Sequence, residues 1–346
     1  MQNSSALETF VQDFILRRCG ASGVDIERME RMGGGAIQEN YALDLEIHGG
    51  AHAGRHNWVL RTDSPSRLAM SLGRAEEFSV LSSAFQAGMR APEPLWLHRD
   101  QGEIGRDFYL MKRISGTASG RELVRAERTP EQRASLLAQL GASLAALHSV
   151  TPGDVDLPFL KVPEGNAALA RIAEYRTLLD RLELSQPTLE LALRQLELHA
   201  PANCPVCLVH GDLRTGNYMV EGHQLSGVLD WEFAAWSTAE EDIGWLCARD
   251  WRFGADDREA GGIGPVEALL AGYEAAGGRP VDRRRLHYWR AMGSLRWALI
   301  ALLQAQRHLS GEEPSLELAL TGRMLPEIEL NLLLETEAML EEQRHA

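Results

Sequence analysis

The sequence predicts an α+β chain, with an antiparallel sheet of about five strands and a helix across it, followed by a mainly helical remainder. Three observations carry this expectation. Short apolar runs rich in branched residues, bounded by Gly, Asn or Asp, crowd into the first 114 residues. From Thr129 onward, apolar positions recur at helical spacing. Two further short runs, 207–209 and 225–229, interrupt the helices; the first leads into His210-Gly211-Asp212 and the second into Asp230.

Residues 6–18 place Leu7, Phe10, Val11, Phe14 and Ile15 at helical spacing, so an amphipathic helix opens the chain. Segments 26–32 and 40–47 read as strands joined by Gly33-Gly34-Gly35, a triplet that by itself indicates only a hairpin turn. After a polar turn at 48–56, residues 57–61 (NWVLR) resume as a strand. Residues 66–88 carry Leu68, Leu72, Phe78, Leu81 and Phe85 at helical spacing and stop at Gly88. Strands at 91–97 and 108–114 complete the sheet, and 115–120 is a small-residue linker. The expected division is therefore 1–114 and 115–346.

In the second part, Thr129-Pro130-Glu131-Gln132 combines a cap, a first-turn proline and a Gln three residues after the cap. A helix should run from there to about His148. Helices are expected at 166–181 and 187–199 and, beyond the two short strands, at 265–276, 282–309 and from 314 to about 343, with Gly or Pro breaks.

The bulk numbers exclude several classes. A chain of 346 residues with 45% hydrophobic and 24% charged content is ordinary for a globular protein. With 35 Lys and Arg against 49 Asp and Glu, the formal charge of −14 argues against non-specific binding to nucleic acid or anionic membranes. There is no run of 18 apolar residues to span a membrane, and the first twenty residues lack the basic start of a signal peptide. A cytoplasmic location is expected, and the oligomeric state is open. Four cysteines are too few for a disulfide framework. His199, Cys204, Cys207 and His210 fall close together, yet one CxxC without a second pair is weak evidence for zinc, and Cys207 sits where a buried strand belongs.

The chemistry concentrates in 206–232, VCLVHGDLRTGNYMVEGHQLSGVLDWE. Two short strands deliver Asp212, Asn217 and Asp230, three hard oxygen groups. Mg2+ takes oxygen ligands and usually only one or two protein carboxylates beside phosphate and water, so Asn217 and Asp230 suit it. In phosphoryl transfer a carboxylate orients the attacking hydroxyl, a role for Asp212. Arg214 could lay its always-charged planar fork on the γ-phosphate. Separate turn caps could account for each acid alone but not for the combination. The His210 ring is expected to be a buried structural hydrogen-bonder, and Gly216 to serve a tight backbone path before Asn217.

HGDLRTGN followed by LDWE resembles the catalytic and metal-binding loops of the aminoglycoside phosphotransferase-like family, which shares the bilobal protein-kinase-like fold. The resemblance spans about 25–345 and is strongest from Val206 to Asp242. It implies an ATP- and Mg2+-dependent phosphotransferase acting on a small-molecule hydroxyl, with the hairpin at Gly33, Gly34 and Gly35 covering the triphosphate. It further implies that Arg61 takes the place of the usual phosphate-binding lysine and that a helix glutamate pairs with it. Glu77 is preferred over Glu76 because it lies four residues before Leu81 on the core-facing side. Met111, Lys112 and Ile114 fall at the hinge, where backbone groups of Lys112 and Ile114 would hold adenine. Asp242 resembles the acid that buttresses the catalytic loop.

Trp245, Trp251 and Trp289 either wall an apolar acceptor pocket or are simply core. A protein kinase is disfavoured, because the twelve residues from Asp230 to Asp242 leave no room for a long activation segment. A catalytically silent nucleotide-binding scaffold is the non-enzyme alternative, and Arg61 is the feature that favours it. A hydroxylated metabolite or hydroxyacyl thioester is favoured over an aminoglycoside as acceptor, in line with relatives among the kinase-like domains attached to acyl-CoA dehydrogenases.

Overall fold

The computed structural model describes residues 2–33, 38–63, 71–202 and 204–344. The chain divides into two compact units, Met1–Phe85 with Ala91–Ile114, and Gln86–Arg90 with Ser115–Ala346.

The first unit holds α1 (Gln2–Cys19), β1 (Gly23–Arg31), β2 (Gln38–His48), β3 (Gly54–Asp63), α2 (Arg74–Gln86), β4 (Pro94–His98) and β5 (Phe108–Lys112). The strands form one antiparallel sheet in the order β1-β2-β3-β5-β4. Alternation decides its faces. Leu43, Leu45, Ile47, Trp58, Leu60, Phe108 and Leu110 join one core cluster with Leu7, Val11, Phe14 and Ile15 of α1. Arg61, the next residue after Leu60, therefore projects from the opposite face, where it meets Glu77 of α2. Helix α2 begins at Arg74, well after the expected residue 66; residues 64–70 lie outside the described residues. The Gly73 N–H that precedes the helix donates to Glu76 Oε2 at 2.7 Å.

The second unit is mainly helical: α3 (Gly120–Arg125), α4 (Pro130–His148), α5 (Ala167–Leu182), α6 (Pro187–Leu198), α7 (Ala239–Cys247), α8 (Val266–Ala275), α9 (Arg283–Leu309), α10 (Leu316–Arg323) and α11 (Leu325–Arg344). Thr129 and Gln132 form a reciprocal capping box at the start of α4. Between α6 and α7 run β6 (Cys207–Val209), β7 (Tyr218–Glu221), β8 (Gln224–Val228) and β9 (Ala235–Ser237).

The two strands read from sequence do not share a sheet. β6 pairs with β9, and β8 pairs with β7. The single helix expected from 314 is two helices, because Pro326 has no N–H to continue the α10 ladder and the chain turns at Met324. The linker at 115–120 gives way at once to α3, whose burial of Leu123 and Val124 outweighs its small-residue start. Among the described residues no helix is long and apolar enough to cross a membrane.

Candidate active site

The loop from β6 to β7 carries Asp212, Arg214 and Asn217. At its root Gly211 has φ +74°, and an added Cβ would fall 2.1 Å from the Phe233 carbonyl oxygen, so only glycine fits. Gly216, at φ +118°, makes the turn that precedes Asn217. The Asn217 amide nitrogen donates to the Asp212 carbonyl at 2.8 Å and to Asp212 Oδ2 at 2.6 Å. The other carboxylate oxygen, Oδ1, accepts from Trp245 Nε1 of α7 at 3.0 Å. Each oxygen of Asp212 thus has one side-chain N–H fixing it. Arg214 Nε lies 3.6 Å from Asp212 Oδ1, and its guanidinium stacks 4.8 Å from the Trp251 ring.

Two buried groups hold this loop. Asp242, fully buried in the first turn of α7, accepts from the N–H of His210 at 2.7 Å and of Gly211 at 2.8 Å, and lies 3.2 Å from His148 Nε2. Burial alone would raise its carboxyl; the hydrogen bonds and charges around it, those of His148 foremost and the His210 N–H among them, together outweigh that and hold it below the ordinary aspartate range. The His210 ring lies 2.7 Å from the Leu229 carbonyl through Nε2 and accepts the Asp212 N–H at Nδ1, 3.1 Å away. A carbonyl can only accept, so Nε2 carries the proton and the ring is the neutral tautomer. His210 therefore ties the first loop to the residue just before Asp230.

Asp230 itself adopts φ +62°, a left-handed conformation uncommon for a residue with a side chain, and the Leu229 N–H donates to the Asn217 carbonyl at 2.8 Å. The two loops are thus joined through backbone. With its amide nitrogen committed to Asp212, Asn217 keeps Oδ1 as its acceptor, and this oxygen and the Asp230 carboxylate are donors of the type Mg2+ takes.

In the first unit, Arg61 Nε donates to Glu77 Oε2 at 3.1 Å, and Nη2 lies 2.9 Å from Oε1. Arg74 also bonds Glu77 and reaches Asp63 at 3.0 Å, a second cation that local reading missed. Glu77 is fully buried, whereas Glu76 caps its own helix. Met111 and Lys112 end β5. The Lys112 N–H donates to the Glu93 carbonyl at 2.9 Å and the Arg113 N–H to Asn57 at 3.0 Å, so among the described residues the Ile114 N–H is the amide of this segment without a protein acceptor. Gly33 lies in a bend after β1; Gly34 and Gly35 lie outside the described residues.

The three tryptophans separate. Trp245 and Trp251 pack 5.1 Å apart, with Trp297 5.0 Å from Trp251, while Trp289 belongs to the core of α5, α6, α9 and α11. Among the described residues His199, Cys204, Cys207 and His210 do not bring their ligand atoms together as a metal cluster. Burial and the neighbouring Glu240 push the Cys204 thiol up to about 11, and burial raises Cys207 well above its ordinary value. Among the described residues the one metal-like cluster is His98, Asp100 and Glu103. There Asp100 accepts four backbone N–H groups of its own loop, which occupies both its oxygens.

The comparisons agree with this architecture. The chain is 27% identical over 199 residues to mouse acyl-CoA dehydrogenase family member 10, covering 55% of this chain and 18% of that protein. It is 28% identical over 206 residues to a homoserine kinase of Agrobacterium fabrum, covering 56% and 57%. The chain thus spans well under two thirds of these curated relatives. Among solved structures, a Ralstonia eutropha JMP134 protein described as a candidate aminoglycoside phosphotransferase superposes with a TM-score of 0.73 at 21% identity, covering 97% of this chain and 98% of that one. Aminoglycoside phosphotransferase APH(4)-Ia, solved in ternary complex with ADP and hygromycin B, gives 0.61 at 14% identity, covering 94% and 98%. These likenesses show a protein-kinase-like fold. The model of the phosphotransferase enzyme family matches residues 28–289, and the chain belongs to that family.

Proposed function

We propose that the protein is an ATP-dependent kinase that moves the γ-phosphoryl group to the hydroxyl of a small molecule, a hydroxylated metabolite or hydroxyacyl thioester in preference to an aminoglycoside. The observation that carries this is the Asp212 carboxylate, held by Asn217 on one oxygen and Trp245 on the other. A carboxylate fixed in this way can accept a hydroxyl proton in a set direction. As the acceptor oxygen bonds the γ-phosphorus and the bond to the bridging oxygen of ADP breaks, the hydroxyl proton passes to Asp212.

Arg214 neutralises charge on the transferring group, and Arg61, oriented by Glu77, neutralises charge on the remaining phosphates. Asn217 and Asp230 would hold Mg2+, which would offset phosphate charge. Ile114 offers its amide to the nucleotide base.

The test is ADP release with Mg-ATP over a panel containing homoserine, hydroxyacyl thioesters and kanamycin. Turnover of a hydroxylated metabolite or thioester above the no-acceptor rate is expected. A chain that binds Mg-ATP and releases no ADP with any member would be the silent scaffold instead. Trp245→Phe keeps the aromatic packing and removes the N–H. Losing one hydrogen bond to a charged group, worth about 1.5 to 3 kcal/mol, should lower turnover roughly tenfold or more with nucleotide affinity unchanged. Steady-state kinetics read the difference; equal turnover would leave Trp245 no positioning role.

A further inference from the structure

Five arginines are buried among the described residues: Arg61, Arg74, Arg252, Arg290 and Arg296. Four of them have a carboxylate. Arg61 and Arg74 meet Glu77, and Arg290 and Arg252 meet Glu335 at 2.9 and 3.9 Å. Arg296 of α9 has no acidic partner within ion-pair distance among the described residues. Its guanidinium lies 4.8 Å from the Trp245 ring and 5.6 Å from the Phe233 ring, and one Nη1–H donates to the Gly211 carbonyl.

Two ring faces and one carbonyl offset a cation only partly, and an unpaired charge removed from water is costly. The oxygens of Asp212, whose backbone neighbour Gly211 accepts from Arg296, take Asn217 and Trp245. Arg296 keeps 8% exposure, so it is not sealed in. Its contacts, Gly211 and Trp245, are the chain neighbour and the hydrogen-bond donor of Asp212.

We propose that the acceptor carries a carboxylate or phosphate close to the hydroxyl that is phosphorylated, and that Arg296 receives this anion while Asp212 takes the hydroxyl. The inference rests on the kinase reading above. Arg214, the other cation beside Asp212, adds to the same preference, and a polycationic acceptor would meet two arginines there. Five N–H groups in a planar fork suit a carboxylate or a phosphate, and Arg296 spends one of them on Gly211.

The test uses the full chain as wild type, Arg296→Met and Arg296→Lys, each checked by its melting temperature. ADP release is measured with Mg-ATP and four size-matched alcohols: 4-hydroxybutyrate, 3-hydroxypropyl phosphate, neutral 4-hydroxybutyramide and cationic 4-aminobutan-1-ol. At least one anionic alcohol should exceed the neutral one by tenfold or more in kcat/KM, and which of the two does so separates carboxylate from phosphate. Arg296→Met should reduce that ratio to about two through KM, with Arg296→Lys in between. A neutral or cationic alcohol turned over best, or a ratio unchanged in Arg296→Met, overturns the proposal.

If none of these alcohols releases ADP, the kinase reading is judged by the acceptor panel above, and the anion site separately by calorimetric titration of the two anionic alcohols into wild type and Arg296→Met. At least tenfold weaker binding of one of them to the variant sustains the site. Equal binding, or none to wild type, overturns it.

Discussion

Asp212→Ala is expected to lower phosphoryl transfer by about a thousandfold, within the range assigned to a positioned general base, while Mg-ATP still binds. A thousandfold corresponds to roughly 4 kcal/mol of transition-state stabilisation. The change also strands the Trp245 N–H, whose acceptor is Asp212 Oδ1, whereas the Asn217 amide keeps the Asp212 backbone carbonyl. A stability loss of about 1 to 3 kcal/mol should therefore accompany the loss of activity, too small to explain it. Single-turnover kinetics at saturating ATP, with melting curves in parallel, separate the two effects. A variant within tenfold of wild type would remove Asp212 from the chemistry.

Asp242→Ala should produce the largest loss of stability, about 3 to 5 kcal/mol. It removes the acceptor of two loop amides and the partner of His148, all buried. The loop that carries Asp212 would lose its anchor, so activity falls with stability. The pH dependence has a definite sign. The Asp242 carboxyl is held below its ordinary value in the folded chain, so its contribution is complete above the unfolded aspartate range, near pH 4. It is lost as pH falls from there through the lowered folded value. Wild type should therefore show a loss of stability below about pH 4 that is reduced in the variant, measured as denaturant midpoints between pH 3 and 7. Coincident pH profiles would show that Asp242 is not the group responsible.

Much of the fold was legible because it is written locally. Alternation in 40–47 and 57–61, the Thr129-Gln132 box and the apolar spacing of α9 each specify an element without reference to the rest of the chain. Where an element's end depended on one residue, local reading slipped. Pro326 divides the last helical segment, and the start of α2 at Arg74 depends on a cap supplied by Glu76.

The site divides along the same line. The sequence by itself determined the string from His210 to Asn217, the aspartate that ends the second apolar run, and Glu77 four residues before Leu81, because spacing along one loop or helix fixes which side chains share a face. The resemblance also pointed to Asp242 as the buttress of that loop. Only the tertiary structure decided that the indole on Asp212 comes from Trp245, that Asp242 does its work by capping the loop amides, and that Arg296, 84 positions from Asp212, lies against Gly211 and Trp245 without an acid among the described residues. Those partners meet because α7 and α9 pack where they do, and the energy that brings helices together comes from apolar area, which carries no record in the sequence of which polar atoms it will leave face to face.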